Sequence, residues 1–163
     1  MTIQIAPLCL EDKASWDVLA RAYKAFYKTT LPDAQYDLAW QRLLDNDGVF
    51  GLGAIIDGKL IGITHYLFHT SVWAQNVCYL QDLFVYPAMR GRGVARALIE
   101  AVANASTECA ATRLYWQTQE HNTTGRALYD KVAKYNGFIR YDYPLAQARA
   151  GSKVGHNRCS ACW

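Results

Sequence analysis

The chain has 163 residues, of which 52% are hydrophobic, with 17 lysines and arginines against 14 aspartates and glutamates. This length suits one domain with a sizeable core, and this hydrophobic content excludes a disordered chain. No run of about 20 apolar residues predicts a membrane helix and no basic-then-apolar leader opens the chain, so we expect a soluble, cytoplasmic protein with no membrane partner.

The excess positive charge is confined to the C-terminal end of the sequence. Residues 146–163 hold three basic residues and no acid, which leaves 14 bases and 14 acids in residues 1–145. Such a balanced body argues against a nucleic-acid partner. We therefore predict one domain over 1–145, followed by a basic tail over 146–163 that is flexible or non-native.

Hydrophobic periodicity predicts the elements of the N-terminal half. In chain order these are a strand at 2–6, helices at 11–29 and about 33–46, and strands at 49–56, 59–68 and about 77–85. The dipeptide Asp57-Gly58 between two alternating segments is typical of a tight hairpin turn. His65 and His69 alternate along the second hairpin strand and are interpreted as structural or surface residues.

A glycine-rich turn leads into the C-terminal half of the sequence. Its predicted elements are a helix at 94–109, a strand at 113–118, a helix at 122–135 and a strand at 138–143. The resulting order β-α-α-β-β-β-α-β-α-β predicts a mixed α/β (α+β) domain around a central sheet.

The turn Arg90-Gly91-Arg92-Gly93 follows a strand directly and opens a helix. Such a turn exposes unpaired backbone N–H groups at the positive end of the helix dipole, where a pyrophosphate can bind. Two nucleotide motifs do not fit, because no Gly-Lys-Ser/Thr ends the turn and Arg96 replaces the third glycine of a dinucleotide fingerprint. These residues alone leave an ordinary strand-to-helix turn open as an alternative.

Two motifs together resemble a known family. The segment 83–95, with its R-x-x-G-x-A pattern, is similar to the acetyl-CoA pyrophosphate motif of the GCN5-related N-acetyltransferase (GNAT) superfamily. The pattern N-x-x-G-x-x-L-Y at 122–129 resembles the second family signature, and the Gly-Phe pair at 137–138 matches the start of its final strand. The segments 114–122 and 127–133 are similar to the fungal histone and D-amino-acid N-acetyltransferase branch, with the polyamine acetyltransferases next.

The resemblance implies a single GNAT-type domain whose mixed sheet of about six to seven strands is splayed in the middle and flanked by about four helices. It also implies acetyl-CoA as the acetyl-donor co-substrate. The residues that it places at the co-substrate are Leu83, Phe84, Val85, Arg90, Gly91, Arg92, Gly93, Val94, Ala95, Asn122 and Tyr129. Backbone groups of Leu83 and Val85 would bind pantetheine and polarise the thioester, and Asn122 would either contact CoA or cap its helix.

Amine acetylation needs a proton donor for the departing thiolate and a route for the protons of the amine. Tyr129 corresponds to the family tyrosine and is the predicted general acid. The polyamine branch has Glu-Asp where this chain has Gln81-Asp82, so its glutamate base does not carry over. A water chain without a dedicated base and Asp82 are the alternatives; Glu120 and His121 are equally near in topology. Strand alternation points Asp82 to the opposite face unless a bulge intervenes.

In this family the two N-terminal helices cover the acceptor amine. Here they supply acids that predict a rim attractive to cations, and aromatic residues that predict cation–π walls. Helix capping, a solvated face and core packing are the open alternatives for the same residues. The predicted substrate-binding residues are Tyr27, Asp33, Tyr36 and Gln81.

The predicted function is acetyl transfer from acetyl-CoA to a primary amine of a small cationic molecule, an amino acid or a protein lysine. The alternative is a catalytically silent acyl-CoA-binding sensor or interaction module, which the missing glutamate leaves open. Cys159-x-x-Cys162 has metal-ligand spacing but no second pair, so we expect no metal. Exposed aromatic residues and the habit of the family favour a homodimer.

Overall fold

The computed structural model describes residues 2–145. Its elements are, in chain order, β1 Gln4–Pro7, α1 Lys13–Phe26, α2 Asp33–Leu44, β2 Phe50–Ile56, β3 Lys59–Ser71, β4 Ala74–Val85, α3 Val94–Glu108, β5 Leu114–Tyr115 and α4 Thr123–Val132, with short 3-10 turns at Leu10–Asp12 and Pro87–Met89. This confirms the predicted α/β fold, although the described residues form five strands rather than six or seven. None of the helices within this range is long and apolar enough to cross a membrane.

The five strands form one sheet in the order β1-β2-β3-β4-β5, in which only the β4–β5 pair is parallel. These two strands pair only at Cys78–Leu114 and Tyr79–Tyr115. Among residues 2–145, the stretch 80–85 of β4 therefore has no partner strand on its outer edge. The sheet is splayed at this place, as the family resemblance implies.

Helices cover both faces of the sheet because successive strand residues point to opposite sides. Phe84 packs in a cluster with Trp16 of α1 and Trp40 of α2, whereas Val85 packs with Leu98 of α3. Trp16 is 2% exposed, and its ring centroid lies 5.0 Å from that of Trp40. Helices α1 and α2 thus cover one face, and α3 covers the other.

A bulge between β3 and β4 sets the face that Asp82 occupies. His65 pairs with Asp82 and Tyr66 pairs with Leu80, so Gln81 is the extra residue on β4. As a result Leu80 packs on the α3 face, whereas Asp82 contacts side chains on the α1 face. Without the extra residue the two side chains would share one face.

The residues after α4 correct two predictions. Helix α4 ends at Val132 rather than at 135, and the strand predicted over 138–143 is wrong, since 134–145 contain no helix or strand. The chain divides into the units Met1–Ala133 and Lys134–Trp163. Alternating apolar side chains suit a sheet face, but a strand forms only where its backbone pairs with another strand. The predicted tail over 146–163 lies outside the described residues.

Candidate active site

The glycine turn after β4 begins α3 without a side-chain cap. Gly91 and Gly93 have φ angles of +75° and +84°, and a Cβ added at either position would meet no atom within 4 Å. The Ala97 N–H donates to the Gly93 carbonyl, so the N–H groups of Val94 and Ala95 precede the first bond within the helix. Open space beside these donors fits a bound pyrophosphate.

Peptide groups at the end of β4 point into the opening of the sheet. The Tyr86 N–H donates to the Ile61 carbonyl of β3 at 2.9 Å, so the alternating N–H groups of Val85 and Leu83 point to the outer edge. The Val85 carbonyl also faces away from β3 and accepts a hydrogen bond from Arg90 Nε at 3.2 Å. These backbone groups can bind the amide groups of a pantetheine chain.

The donor side is the region where acetyl-CoA is predicted to bind. Its other predicted residues lie partly in the core and partly at the surface. Phe84 and Val94 are 7% and 2% exposed, so any contact with a ligand would come from their backbone. The Arg90 guanidinium lies 5.6 Å from the ring centroid of Phe84, and Arg92 is exposed in the turn. The donor side is thus built from backbone groups with arginines beside them.

Asn122 caps α4 through its side-chain oxygen, while its amide nitrogen anchors the side chain to the preceding segment. Its Oδ1 accepts a hydrogen bond from the Gly125 N–H at 3.1 Å, and its Nδ2 donates to Thr118 Oγ1 at 2.9 Å. A Cβ at Gly125 would lie 2.5 Å from Asn122 Nδ2, so the alanine of the family motif would shift the Asn122 side chain from this position. The structure shows the capping role, and a contact with CoA stays a prediction.

The opening between β4 and β5 contains a cavity whose empty space, counted together with adjoining open solvent, is about 330 Å³. Four predicted residues line it, together with five that sequence reasoning missed. The predicted ones are Tyr27, Gln81, Leu83 and Tyr129, and the others are Tyr23, Leu80, Ile99, Trp116 and Gln117. Tyr23 and Tyr27 are four residues apart at the C-terminal end of α1 and therefore share one side of the helix. That spacing is the sequence signal that could have identified Tyr23.

Tyr129 projects from α4 into this cavity. Its ring centroid lies 5.5 Å from that of Trp116 in an edge-to-face arrangement. Burial raises the pKa of the Tyr129 phenol above its ordinary value, and the neighbouring Tyr27 adds to this effect. Tyr129 therefore carries its proton at neutral pH, as a proton donor must.

Asp82 lies behind the cavity, with its side chain 13% exposed. Its Oδ2 is 2.9 Å from His65 Nδ1, and His65 Nε2 is 2.9 Å from Trp16 Nε1. Burial alone would raise the pKa of Asp82, but hydrogen bonds from His65 and Tyr23 and the charge of Lys24 outweigh it, so the pKa is lowered. Asp82 is therefore a carboxylate at neutral pH, and Tyr23 connects it to the cavity.

Several predicted residues are not brought to this cavity. Asp33 is exposed and its Oδ1 lies 2.9 Å from Arg21 Nη2. Tyr36 is 5% exposed in the core, with the Arg21 guanidinium 4.1 Å from its ring centroid. Glu120 and His121 are exposed just before α4 and do not line the cavity.

No group of three or more histidine, cysteine, aspartate or glutamate side chains within residues 2–145 could hold a metal ion. In the same part of the chain Cys78 is buried, Cys9 and Cys109 are exposed, and all three are free thiols. The Cys159-x-x-Cys162 pair lies outside the described residues.

Comparisons with known proteins connect this geometry to acetyl transfer. The model of the acetyltransferase (GNAT) family matches residues 16–135. The chain is 33% identical over 135 residues to D-amino-acid N-acetyltransferase HPA3 of Saccharomyces cerevisiae, covering 80% of this chain and 84% of that protein. A ribosomal-protein-alanine N-acetyltransferase from Brucella melitensis biovar Abortus 2308 has a similar structure, with a TM-score of 0.75, 25% identity and coverage of 89% of this chain and 100% of that one. The aminoglycoside acetyltransferase AAC(6')-Iy, solved with a bisubstrate analog, shares the fold with a TM-score of 0.80, 20% identity and coverage of 90% and 100%.

Proposed function

The chain belongs to the acetyltransferase (GNAT) family and is an N-acetyltransferase, and we propose that it transfers acetyl from acetyl-CoA to the primary amine of a small molecule. The observation that carries this proposal is the cavity at the splayed sheet, which joins Tyr129 to the free edge of β4. Aromatic side chains from α1 and α4 narrow this cavity, which favours a free amine over a lysine on a folded protein.

Acetyl-CoA supplies the acetyl group as an activated thioester. On the protein side, the N–H groups at the start of α3 would hold the pyrophosphate, and the outward peptide groups of Leu83 and Val85 would hold pantetheine. The Val85 N–H is also placed to donate to the thioester oxygen, on which negative charge grows during attack.

Tyr129 is the proposed general acid, because its protonated hydroxyl lines the same cavity as the free edge of β4. A phenol beside the departing sulfur donates a proton and so prevents release of a free thiolate. Asp82 is the proposed final acceptor of the proton that the amine loses during attack, because it is a carboxylate connected to the lining through Tyr23.

The cavity lining suits an acceptor that carries a polar group next to its ammonium group. The ring faces of Tyr27 and Trp116 can hold an ammonium group by cation–π attraction, and the amides of Gln81 and Gln117 can donate to a carboxylate. The 33% sequence identity to a D-amino-acid N-acetyltransferase supports an amino acid as the acceptor. An amino acid or a small cationic amine is therefore the proposed acceptor.

An acceptor panel tests this function directly. The protein is incubated with acetyl-CoA and with D- and L-amino acids, polyamines, an aminoglycoside and lysine-bearing peptides, while CoA release and acetylated product are measured. We expect turnover on free amino acids or small amines that exceeds turnover on peptides. Binding of acetyl-CoA without acetylation of any acceptor would contradict the proposal.

A further inference from the structure

A chain of side-chain contacts runs from the core to the cavity wall. Hydrogen bonds join Trp16 of α1 to His65 of β3 and His65 to Asp82 of β4. Tyr23, which lines the cavity, packs against Phe84 on the same face of β4 as Asp82, and its phenol interacts with the Asp82 carboxylate. The backbone at Asp82 is also fixed, because Thr64 Oγ1 donates to its carbonyl at 2.9 Å.

The direction of each hydrogen bond follows from the donors present. An indole N–H can only donate, so His65 Nε2 must accept the bond from Trp16. The ring proton of His65 then lies on Nδ1, which donates to Asp82 Oδ2. Both ring nitrogens are thereby committed, and His65 orients the Asp82 carboxylate.

The same reasoning fixes the hydroxyl of Tyr23. An ionised carboxylate only accepts hydrogen bonds, so the Tyr23 proton points towards Asp82. Burial and the nearby Asp82 charge raise the pKa of Tyr23, so this proton stays on the phenol at neutral pH. The Tyr23 oxygen consequently presents a lone pair, rather than a proton, to the cavity.

We propose that Tyr23 is a catalytic residue that accepts an N–H hydrogen bond from the attacking amine and relays its proton to Asp82, with His65 and Trp16 as positioning residues. This inference rests on the proposed function. Two tyrosines with opposite hydrogen-bond direction then share one cavity, since Tyr129 donates where Tyr23 accepts.

The acidity of the groups decides which proton takes this route. An alkylammonium has a pKa near 10, whereas the pKa of Asp82 is lowered below the ordinary range of a carboxyl group, so Asp82 is too weak a base for the first proton, which leaves to solvent. The nitrogen becomes far more acidic while it bonds to the carbonyl carbon. Its next proton then passes to Tyr23 Oη as the Tyr23 proton passes to Asp82. The C–S bond breaks with its electron pair on sulfur, which takes the Tyr129 proton; Tyr129 later regains a proton as Asp82 loses one to solvent.

Asp82→Asn and Tyr23→Phe test the relay as a pair. Asparagine keeps an oxygen for His65 but turns an N–H towards Tyr23, so the tyrosine proton would point into the cavity. We expect each single variant to lower kcat about 100-fold with the KM for acetyl-CoA unchanged. The double variant should lose about the same 100-fold rather than the product of both losses. Tyr66→Phe is the control, because Tyr66 is a buried tyrosine that does not line the cavity, and this variant should keep full turnover.

The positioning role of His65 has its own comparison. His65→Asn can place an amide donor near the position of Nδ1, whereas His65→Leu offers none. We expect His65→Asn to retain several-fold more turnover than His65→Leu, although both lose the bond from Trp16. In the Tyr23→Phe background this difference should disappear.

Three results would overturn the relay. A folded Tyr23→Phe protein with unchanged kcat removes Tyr23 from the reaction, and this variant decides alone if Asp82→Asn does not fold, because phenylalanine keeps the ring packing against Phe84. Losses that multiply in the double variant would show that Asp82 acts without Tyr23. A wild-type protein that acetylates no acceptor refutes the proposed function itself, and the relay with it.

Discussion

The proposed donor side and the proposed acceptor cavity of this enzyme are built in different ways. The proposed donor side consists of backbone groups along 83–95, a single continuous stretch of chain. The cavity is lined by residues of α1, β4, α3, the chain after β5 and α4, which only the folded structure brings together. The difference predicts that acetyl-CoA binding responds to changes in backbone conformation, whereas acceptor chemistry responds to the loss of single hydroxyl groups.

The largest effect is expected for Tyr129→Phe. Loss of the phenol proton should lower kcat about 100-fold, because the sulfur then leaves without a proton donor. The dissociation constant of acetyl-CoA should stay unchanged, since the donor side is made of backbone groups. Steady-state kinetics and calorimetric titration of CoA measure the two quantities, with Tyr66→Phe as the control. An unchanged kcat would exclude Tyr129 as the acid.

A smaller effect is expected for Gly93→Ala, which tests the backbone side of the comparison. At φ +84° an added Cβ is strained, so we expect acetyl-CoA affinity to fall about tenfold and stability to fall by about 1 kcal/mol. Gly58→Ala is the matched control, because Gly58 has φ +72° and open space in the turn between β2 and β3. It should lose similar stability in a thermal melt but keep its affinity for acetyl-CoA. Equal affinities in the two variants would show that the turn at Gly93 does not bind the co-substrate.

The difference between the donor side and the cavity also explains which features the sequence could predict. Gly91 and Gly93 are two residues apart in one motif, so their left-handed conformations and their place before a helix are local properties. The spacing of Tyr23 and Tyr27 puts both on one side of a helix, but Tyr23 is one of eleven tyrosines and its partner Asp82 lies far along the chain, so the spacing does not show what that side of the helix faces. The face of Asp82 depends on the bulge at Gln81, which results from the pairing of two strands.

The segment after α4 shows another limit of prediction from sequence, because a strand that the pattern predicts does not form. Its alternation of aromatic and polar residues over 138–143 is the pattern of a strand, but Phe138 and Tyr141 are 88% and 86% exposed and no strand forms. Side-chain pattern reports which residues could pack, whereas strand formation also needs a backbone partner. The homodimer and the cytoplasmic location, which depend on surfaces and partners outside the chain, stay predictions.

The smallest effect is expected for Asp33→Asn, which tests whether an acidic rim attracts the acceptor. The Asp33 charge is compensated by Arg21 at 2.9 Å, and Asp33 does not line the cavity. An exposed, paired and screened carboxylate adds little attraction, so the KM for a cationic amine should change by less than about twofold. Asp37→Asn, which loses a similar exposed pair with Lys13, is the control. If Asp33→Asn alone raises the KM for dications but not for monocations, an acidic rim does attract the acceptor. Otherwise, recognition of the cation belongs to the ring faces of the cavity, where replacing Tyr27 with leucine should weaken amine binding more than either aspartate variant.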